Sequence, residues 1–255
     1  MRSFLSNTSR LVRRAWAVGG TVVVAVVVVI GFITVDELSE DKGPGSVAAT
    51  TVSGDITELF EKLKVGTEAP MDGYDRARFP HWDTNKPEHG FGDKFAQYSH
   101  CTTREVVLLR DATGSVTLDP KSCKFTLGSD GGWRDQYGVL DRKTGNLKDY
   151  KWVTNPSSLD IDHIVPLAEV WRSGADKRTD DDRRAIANDA ANLVISDPSA
   201  NRSKGDQDIA NYLPPGNFRC AYLDHYIRIK VKYSLTVDTA EQAAMRKAID
   251  SCVHK

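Results

Sequence analysis

The pattern of hydrophobic and polar positions divides the chain into three parts. Residues 15–35 form an uninterrupted run without charged side chains, and its centre is almost pure valine. Residues 36–55 are rich in acidic and small polar side chains and show no periodic pattern, which predicts a flexible stalk. Residues 56–255 alternate short apolar runs with polar segments, as expected of a folded domain.

The hydrophobic run at residues 15–35 predicts a transmembrane anchor. Its 21 residues would span roughly 30 Å as a helix, which matches the core of a bilayer. Four arginines precede it, so residues 1–14 are expected to be a basic cytoplasmic segment and the remainder of the chain to be extracellular. The alternative is a cleaved signal sequence, which would make the protein secreted. We favour the anchor, because the apolar region of a signal sequence is usually only about 7–15 residues long.

The first half of the folded part is expected to contain one helix and one β-hairpin. Apolar residues recur at helical spacing over residues 56–63, whereas residues 66–92 are polar, contain three prolines and are expected to be irregular. Residues 106–109 are a hydrophobic run that favours a strand. After a turn at residues 111–114, residues 115–118 are expected to return as the second strand.

The second half predicts a strand–helix–strand–helix unit followed by two more helices. The predicted elements of the unit are a buried strand, a helical turn, a helix, a second strand and a last helix, at residues 159–165, 167–173, 179–187, 193–195 and 197–205. Asp197 and Pro198 are typical of an N-cap and the first position of a helix. Residues 218–233 and 238–251 have helical patterns and are expected to form an antiparallel helical hairpin.

Four cysteines follow the hydrophobic run, and no two of them form a C-x-x-C pair. An even number of cysteines in an exported chain favours disulfides over a zinc or redox motif. Three pairings are possible in principle. The predicted β-hairpin would bring Cys101 close to Cys123, and the predicted helical hairpin would bring Cys220 close to Cys252, so we favour these two bonds.

The chemistry of the chain is concentrated in the strand–helix–strand–helix unit. Its motifs are Asp160-Ile161-Asp162-His163-Ile164-Val165-Pro166, Ala191-Asn192-Leu193-Val194-Ile195 and Asn201-Arg202-Ser203-Lys204-Gly205-Asp206. These runs resemble the HNH nucleases, also called His-Me finger or ββα-metal nucleases. Within that superfamily the segment resembles the C-terminal-domain family of the GmrSD restriction endonucleases, in its small exported form.

The resemblance implies an α+β fold. Residues 56–255 would be the HNH nuclease domain, with a ββα-metal core at residues 159–206. The hydrophobic pattern described above adds a β-hairpin region and a C-terminal helical hairpin to that core and predicts one transmembrane helix before it. The oligomeric state is left open.

The resemblance also assigns roles to individual residues. His163 would be the general base, and Asn192 would position its strand. Asp162 and Asn201 would bind the metal, while Arg202 and Lys204 would hold substrate phosphates. Possible outer contacts of the site are Asp160, Glu169 and Asp206. The alternatives for these three residues are a solvated strand residue, a helix-surface residue and a helix-end residue, respectively.

The implied function is a metal-dependent endonuclease that acts on nucleic acid, DNA first, outside the cytoplasm. Asn201 stands where other HNH nucleases have histidine, and an oxygen-only ligand set favours Mg²⁺ or Mn²⁺. The net charge of −1 provides no overall basic surface, so nucleic acid would need a local patch. The alternative is a catalytically inactive module that binds nucleic acid or a cell-envelope partner.

Adjacent residues of a strand point to opposite faces of the sheet. Asp162 and His163 can therefore share one site only near the end of a strand or in a twisted strand.

The remaining polar and aromatic residues favour structural roles. The histidines in irregular sequence have no ligand spacing, the tryptophans are expected in the core, His225 is expected to pack on a helix, and an arginine pair is expected on a solvated helix face. These residues are His81, His89 and His100; Trp133, Trp152 and Trp171; and Arg183 and Arg184.

Overall fold

The computed structural model describes residues 54–141, 143–147 and 150–253. Its helices are α1 (Ile56–Glu61), α2 (Thr103–Arg110), α3 (Leu167–Arg172), α4 (Asp180–Ala187), α5 (Pro198–Lys204), α6 (Arg219–Lys232) and α7 (Thr239–Val253). Its strands are β1 (Lys64–Val65), β2 (Ala112–Thr113), β3 (Val116–Leu118), β4 (Phe125–Leu127), β5 (Gly132–Arg134), β6 (Trp152–Val153), β7 (Asp160–His163), β8 (Leu193–Ser196) and β9 (Thr236–Val237). The mixture of helices and short strands confirms the predicted α+β class.

The strands form small separate sheets rather than one continuous sheet. β7 pairs with β8 and β3 pairs with β4, in both cases antiparallel. β5 lies between β2 and β6 in an antiparallel three-stranded sheet. The parallel pair β1–β9 joins the beginning of the described chain to the connection between α6 and α7.

The β7–β8 ribbon lies between two hydrophobic cores. On β8, Leu193 and Ile195 belong to one core, which also contains Trp133, whereas Val194 belongs to the other, which contains Trp171. Successive strand residues point to opposite faces, so a strand buried on both sides must be apolar at every position. This explains why β8 reads as a continuous apolar run.

Helix α5 begins and ends as its sequence predicts. Asp197 is the N-cap, its Oδ1 accepts a hydrogen bond from the backbone N–H of Ser199 at 2.8 Å, and Pro198 is the first helical residue. Gly205 ends the helix with a φ of 57°, a left-handed value that glycine adopts most easily. The order β7, β8, α5 is therefore present in the chain.

The predicted strand at residues 106–109 is wrong, because these residues lie in α2. The helix is started by a capping box in which Glu105 Oε2 accepts from the backbone N–H of Thr102 at 2.8 Å. Val106 and Val107 are fully buried by the helix. Burial of this apolar face and the cap outweigh the strand preference of the valines. The hairpin in this region is instead formed by β3 and β4.

Both disulfides join the cysteines paired by the sequence analysis, Cys101 with Cys123 and Cys220 with Cys252. The second bond links α6 to α7, as expected of a helical hairpin. The geometric reason given for the first bond was wrong. Cys101 precedes a helix, and Cys123 lies in the turn between β3 and β4.

Two expectations about single residues are also corrected. Arg183 is buried, not solvated, and its guanidinium donates to the backbone carbonyls of Arg78 and Ala175 at 2.9 Å each. Trp152 is 42% exposed, whereas Trp133 and Trp171 are core residues as predicted.

The predicted basic segment (1–14), membrane anchor (15–35) and nearly all of the predicted stalk (36–55) lie outside the described residues. Within the described ranges, no helix combines the length and the apolar character that a membrane crossing requires.

Candidate functional site

An open cleft of about 340 Å³ is lined by the end of β7, the start of α3 and the second half of α5. Its lining consists of Tyr74, Arg76, Asp162, His163, Pro166, Leu167, Ala168, Asn201, Arg202, Gly205 and Asp206. Five predicted site residues are therefore brought together here. Asp162 and His163 both reach the cleft although they are neighbours on one strand, since His163 is the last residue of β7.

His163 forms a buried part of the cleft lining, and its side-chain contact fixes its tautomer. Its Nε2 lies 2.9 Å from the carbonyl oxygen of Ala187. A carbonyl oxygen only accepts hydrogen bonds, so Nε2 carries the hydrogen and Nδ1 keeps the lone pair. Burial lowers the pKa of His163 to about 3, partly opposed by the hydrogen bond to Ala187. The imidazole is therefore neutral at neutral pH, with Nδ1 as the proton-accepting atom.

Asp162 is held by two buried donors. Its Oδ2 accepts a hydrogen bond from the hydroxyl of Tyr137 at 2.7 Å and pairs with Lys204 Nζ at 2.8 Å. Burial, followed by the charge of Asp162, raises the pKa of Tyr137 well above its ordinary value, so the phenol stays protonated and donates. In the described part of the chain, Oδ1 of Asp162 has no hydrogen-bond partner.

The location of Lys204 contradicts the phosphate-binding role predicted for it. Its side chain is fully buried, and Nζ donates to the carbonyl oxygen of His163 at 2.8 Å as well as to Asp162. Burial lowers the pKa of Lys204, and the charge of Asp162 opposes this effect. Lys204 therefore neutralises a carboxylate inside the protein. Arg202, by contrast, is exposed and lines the cleft.

Asn201 and Asp160 contact each other. Nδ2 of Asn201 donates to Oδ2 of Asp160 at 3.0 Å, which leaves the amide oxygen of Asn201 as an acceptor. Asp162 and Asn201 thus each have an oxygen that could face a cation in the same cleft. Oxygen donors of this kind fit a hard divalent ion that keeps several of its waters.

Asn192 does not line the cleft, but it ties together the chain on both sides of it. It is fully buried, and its Oδ1 accepts from the backbone N–H of Val165 at 2.8 Å. Its Nδ2 donates to the carbonyl of Ile186 at 3.3 Å, and its own carbonyl accepts from Ile164 at 2.8 Å. These contacts fix the segment that follows His163 against the segment that precedes β8.

Glu169 lies neither at the cleft nor on the helix surface. It is fully buried, and its Oε1 pairs with Lys230 Nζ at 2.6 Å. Glu241 pairs with the same ammonium at 3.1 Å. The proposed outer-contact role of Glu169 is therefore wrong, whereas Asp206 is exposed at the cleft.

Residues from the irregular segment upstream of α2 also lie at the cleft, although no sequence motif marks them. Tyr74 and Arg76 line the cleft, and the rings of His81 and Trp82 lie 6.2 Å and 6.1 Å from the ring of His163. His81 Nδ1 lies 2.7 Å from the carbonyl oxygen of Phe79. No local spacing in the sequence links this segment to His163, so their proximity comes from tertiary packing alone.

A cluster of carboxylates stands apart from this cleft. Glu68, Asp208 and Asp238 lie with one oxygen each within 4.8 Å of the others. Burial raises the pKa of Glu68, and the charge of Glu169 adds to this effect. The cluster contains neither Asp162 nor Asn201.

Comparisons with known proteins agree with the motif. Residues 102–248 match the family model described as "GmrSD restriction endonucleases, C-terminal domain". An uncharacterized secreted protein of Arthroderma benhamiae is 36% identical over 197 residues, which cover 76% of this chain and 83% of the relative. No solved structure matches the chain. The family match indicates a nuclease-related function and nucleic acid as the partner.

The relative also corrects the predicted localisation. It is described as secreted, which contradicts the prediction of a single-pass membrane protein attached through residues 15–35. The predicted single-pass localisation is therefore wrong, and no comparison supports the membrane as a partner.

Proposed function

Because this chain belongs to the GmrSD restriction endonuclease C-terminal domain family, we propose that it is a metal-dependent endonuclease that hydrolyses phosphodiester bonds. We propose DNA as the substrate and RNA as the alternative. The enzyme would act outside the cytoplasm. The observation that carries the proposal is the meeting of His163, Asp162 and Asn201 in one cleft, where a backbone carbonyl holds the imidazole. The core at residues 159–206 would be a ββα-metal unit within the nuclease domain, residues 56–255.

His163 acts as the general base in this proposal. The hydrogen bond from Nε2 to Ala187 orients the ring, and Nδ1 takes a proton from the attacking water. The water oxygen forms a bond to phosphorus while the bond from phosphorus to the 3′ oxygen breaks. The 3′ oxygen takes up a proton from a solvent water molecule, and His163 returns its proton to solvent. The products carry a 5′-phosphate and a 3′-hydroxyl.

Asp162 and Asn201 would hold the divalent cation, with Mg²⁺ or Mn²⁺ favoured by their oxygen atoms. When bound, the cation supplies positive charge that stabilises the phosphorane and the leaving oxygen. Tyr137 and Lys204 hold one oxygen of Asp162, and Asp160 holds the amide of Asn201. Such outer contacts orient the ligands themselves.

Asn192 is a positioning residue in this proposal, because it fixes the chain around His163 without reaching the cleft. Arg202 is exposed in the cleft and would bind a phosphate of the substrate through charge-assisted hydrogen bonds. Asp206 would lie near the bound substrate.

A catalytically inactive module that binds nucleic acid is the second candidate. One observation favours it: the ammonium of Lys204 is already paired with Asp162, and its charge opposes a second cation there. This candidate predicts binding of nucleic acid without cleavage.

The proposal is tested by plasmid nicking with the disulfide-bonded protein, in Mg²⁺, in Mn²⁺ and in EDTA. We expect cleavage that needs the metal and falls at least a hundredfold in His163→Ala, because general-base catalysis contributes about 10²–10⁴-fold. His100→Ala is the matched control, since His100 is exposed and lies outside the cleft. Equal cleavage by both variants would refute the role of His163. Binding without cleavage of DNA or RNA would favour the inactive module.

A further inference from the structure

The segment at residues 73–82 supplies part of the cleft but lies upstream of the residues that match the family. The family match begins at residue 102, whereas Tyr74 and Arg76 belong to the cleft lining. Nothing in the motif at residues 159–206 therefore assigns a role to this segment.

The backbone on both sides of Arg76 is held in place. Asp75 caps the turn Arg76–Arg78 by accepting from the backbone N–H of Ala77 at 2.8 Å. The guanidinium of Arg78 lies 4.9 Å from the ring centre of Trp171. Further along, the carbonyl of Pro80 accepts from Asn188 Nδ2 at 3.0 Å. The backbone of such an anchored turn loses little further freedom when the side chain it carries binds a ligand.

Among the described residues, Arg76 differs from its neighbouring arginines in having no acidic partner. Arg78 and Arg183 both contact Asp180, and Arg172 contacts Glu68 and Glu169. Among the residues that the structure describes, no carboxylate lies within 4.0 Å of the guanidinium of Arg76, although this residue is exposed in the cleft.

Arg202 shares these properties on the α5 side of the cleft. It is exposed, lines the same cleft, and has no carboxylate within salt-bridge distance in the described ranges. Two guanidinium groups without acidic partners thus border a cleft that also contains His163. The protein as a whole has a net charge of −1, so this local pair is not a consequence of a generally basic surface.

We propose that Arg76 and Arg202 form a two-arginine clamp that binds backbone phosphates of the nucleic-acid strand next to the scissile bond. The inference rests on the proposed function and adds a residue that lies outside the family motif. Guanidinium groups bind phosphate oxygens through two parallel charge-assisted hydrogen bonds, and they remain charged at every working pH. Phosphate contacts position the strand without reading its sequence.

The test is the salt dependence of kcat/KM for cleavage of a short labelled DNA duplex in Mg²⁺, for wild type, Arg76→Gln and Arg219→Gln. Arg219 is the matched control, because it is an exposed arginine at the start of α6 that does not line the cleft. We expect Arg76→Gln to lower kcat/KM about ten- to a hundredfold at low salt, mainly through KM. The slope of log kcat/KM against log salt should become shallower by about 0.9, the contribution of one phosphate contact. Arg76→Lys should restore the slope.

The slope separates a phosphate contact from a structural defect, because a partly unfolded sample lowers the rate equally at every salt concentration. An Arg76→Gln variant with the slope of Arg219→Gln would overturn the clamp while leaving the nuclease proposal intact. A wild-type protein that cleaves neither DNA nor RNA would overturn the proposed function and the clamp together.

Discussion

Lys204 and Lys230 are both fully buried, yet their surroundings differ. Lys230 Nζ contacts two carboxylates, those of Glu169 at 2.6 Å and Glu241 at 3.1 Å, and the hydroxyl of Ser173 at 2.6 Å. Lys204 Nζ contacts one carboxylate, that of Asp162, and a backbone carbonyl. The Lys230 cluster lies inside the protein, whereas Asp162 borders the cleft.

The difference separates an ion pair that holds the fold from one that borders a reaction site. Glu169 belongs to α3, Lys230 to α6 and Glu241 to α7, so the cluster ties three helices together. A buried charge is tolerated when groups of opposite charge contact it, and Lys230 has two such carboxylates. At the cleft, one oxygen of Asp162 is satisfied and the other is left for a ligand. The same ionic chemistry therefore gives rigidity in one place and a potential binding site in the other.

Breaking the interior cluster should have the largest effect. Lys230→Met leaves Glu169 and Glu241 buried without their shared cation, and the loss of one partner of a buried pair costs about 3–5 kcal/mol. We expect the free energy of unfolding in urea to fall by this amount. The activity per folded molecule should stay unchanged, because Lys230 is not part of the cleft lining.

Lys247→Met is the control for this substitution, since Lys247 is exposed on α7. An exposed substitution of this kind usually changes stability by less than about 0.5 kcal/mol. Equal stability of the two variants would show that the interior cluster contributes little to holding the helices together.

The sequence could predict the elements whose signals are local. The β7, β8 and α5 elements were found because their signals are local: a doubly buried apolar strand, the Asp197–Pro198 start and the Gly205 stop. The hydrophobic run in α2 was misassigned because valine favours strands, and only the Thr102 and Glu105 cap marked it as a helix. The type of a secondary-structure element is predicted correctly when its capping residues and its hydrophobic periodicity indicate the same structure.

The side-chain environments were much less predictable. A basic residue in a phosphate-binding motif is expected at the surface, and the sequence does not reveal that Lys204 points into the protein toward Asp162. Glu169 pairs with a residue 61 positions away, and Arg76 reaches the cleft from outside the motif. Such contacts depend on tertiary packing, which a single sequence does not encode locally.

A change of pH should test whether His163 is buried in its neutral form at the cleft. Burial lowers the pKa of His163 to about 3, whereas an unfolded histidine has a pKa of about 6.5. Between these values the unfolded chain binds more protons, so the stability contributed by His163 is complete above about pH 6.5 and is lost as the pH falls toward 3. The loss should reach roughly 2 kcal/mol at pH 5, since one pKa unit corresponds to about 1.4 kcal/mol.

The measurement is urea unfolding in EDTA from pH 7.5 to pH 5 for wild type, His163→Asn and His100→Ala. His163→Asn should lose less stability on acidification than wild type, and His100→Ala should follow wild type. Parallel curves for all three proteins would show that His163 is not a buried neutral group.

The smallest expected effect is a change in how much the cation raises Tm. It should appear on substitution of Lys204 but not of Lys230. The ammonium of Lys204 lies 2.8 Å from Asp162 Oδ2, so it repels a divalent ion held by the same carboxylate. Lys204→Met removes that repulsion and frees Oδ2 of Asp162 from its ion pair. A ligand that binds the folded state raises Tm by mass action. If the cation gains about 1 kcal/mol of binding free energy, Mg²⁺ or Mn²⁺ should raise the Tm of Lys204→Met by about 2–4 °C more than that of wild type.

Lys230→Met should show only the wild-type shift in Tm, and adding Asp162→Asn to Lys204→Met should remove the gain. A metal-induced shift in Lys204→Met no larger than in wild type would contradict Asp162 as a ligand, because its charge would then be indifferent to the cation.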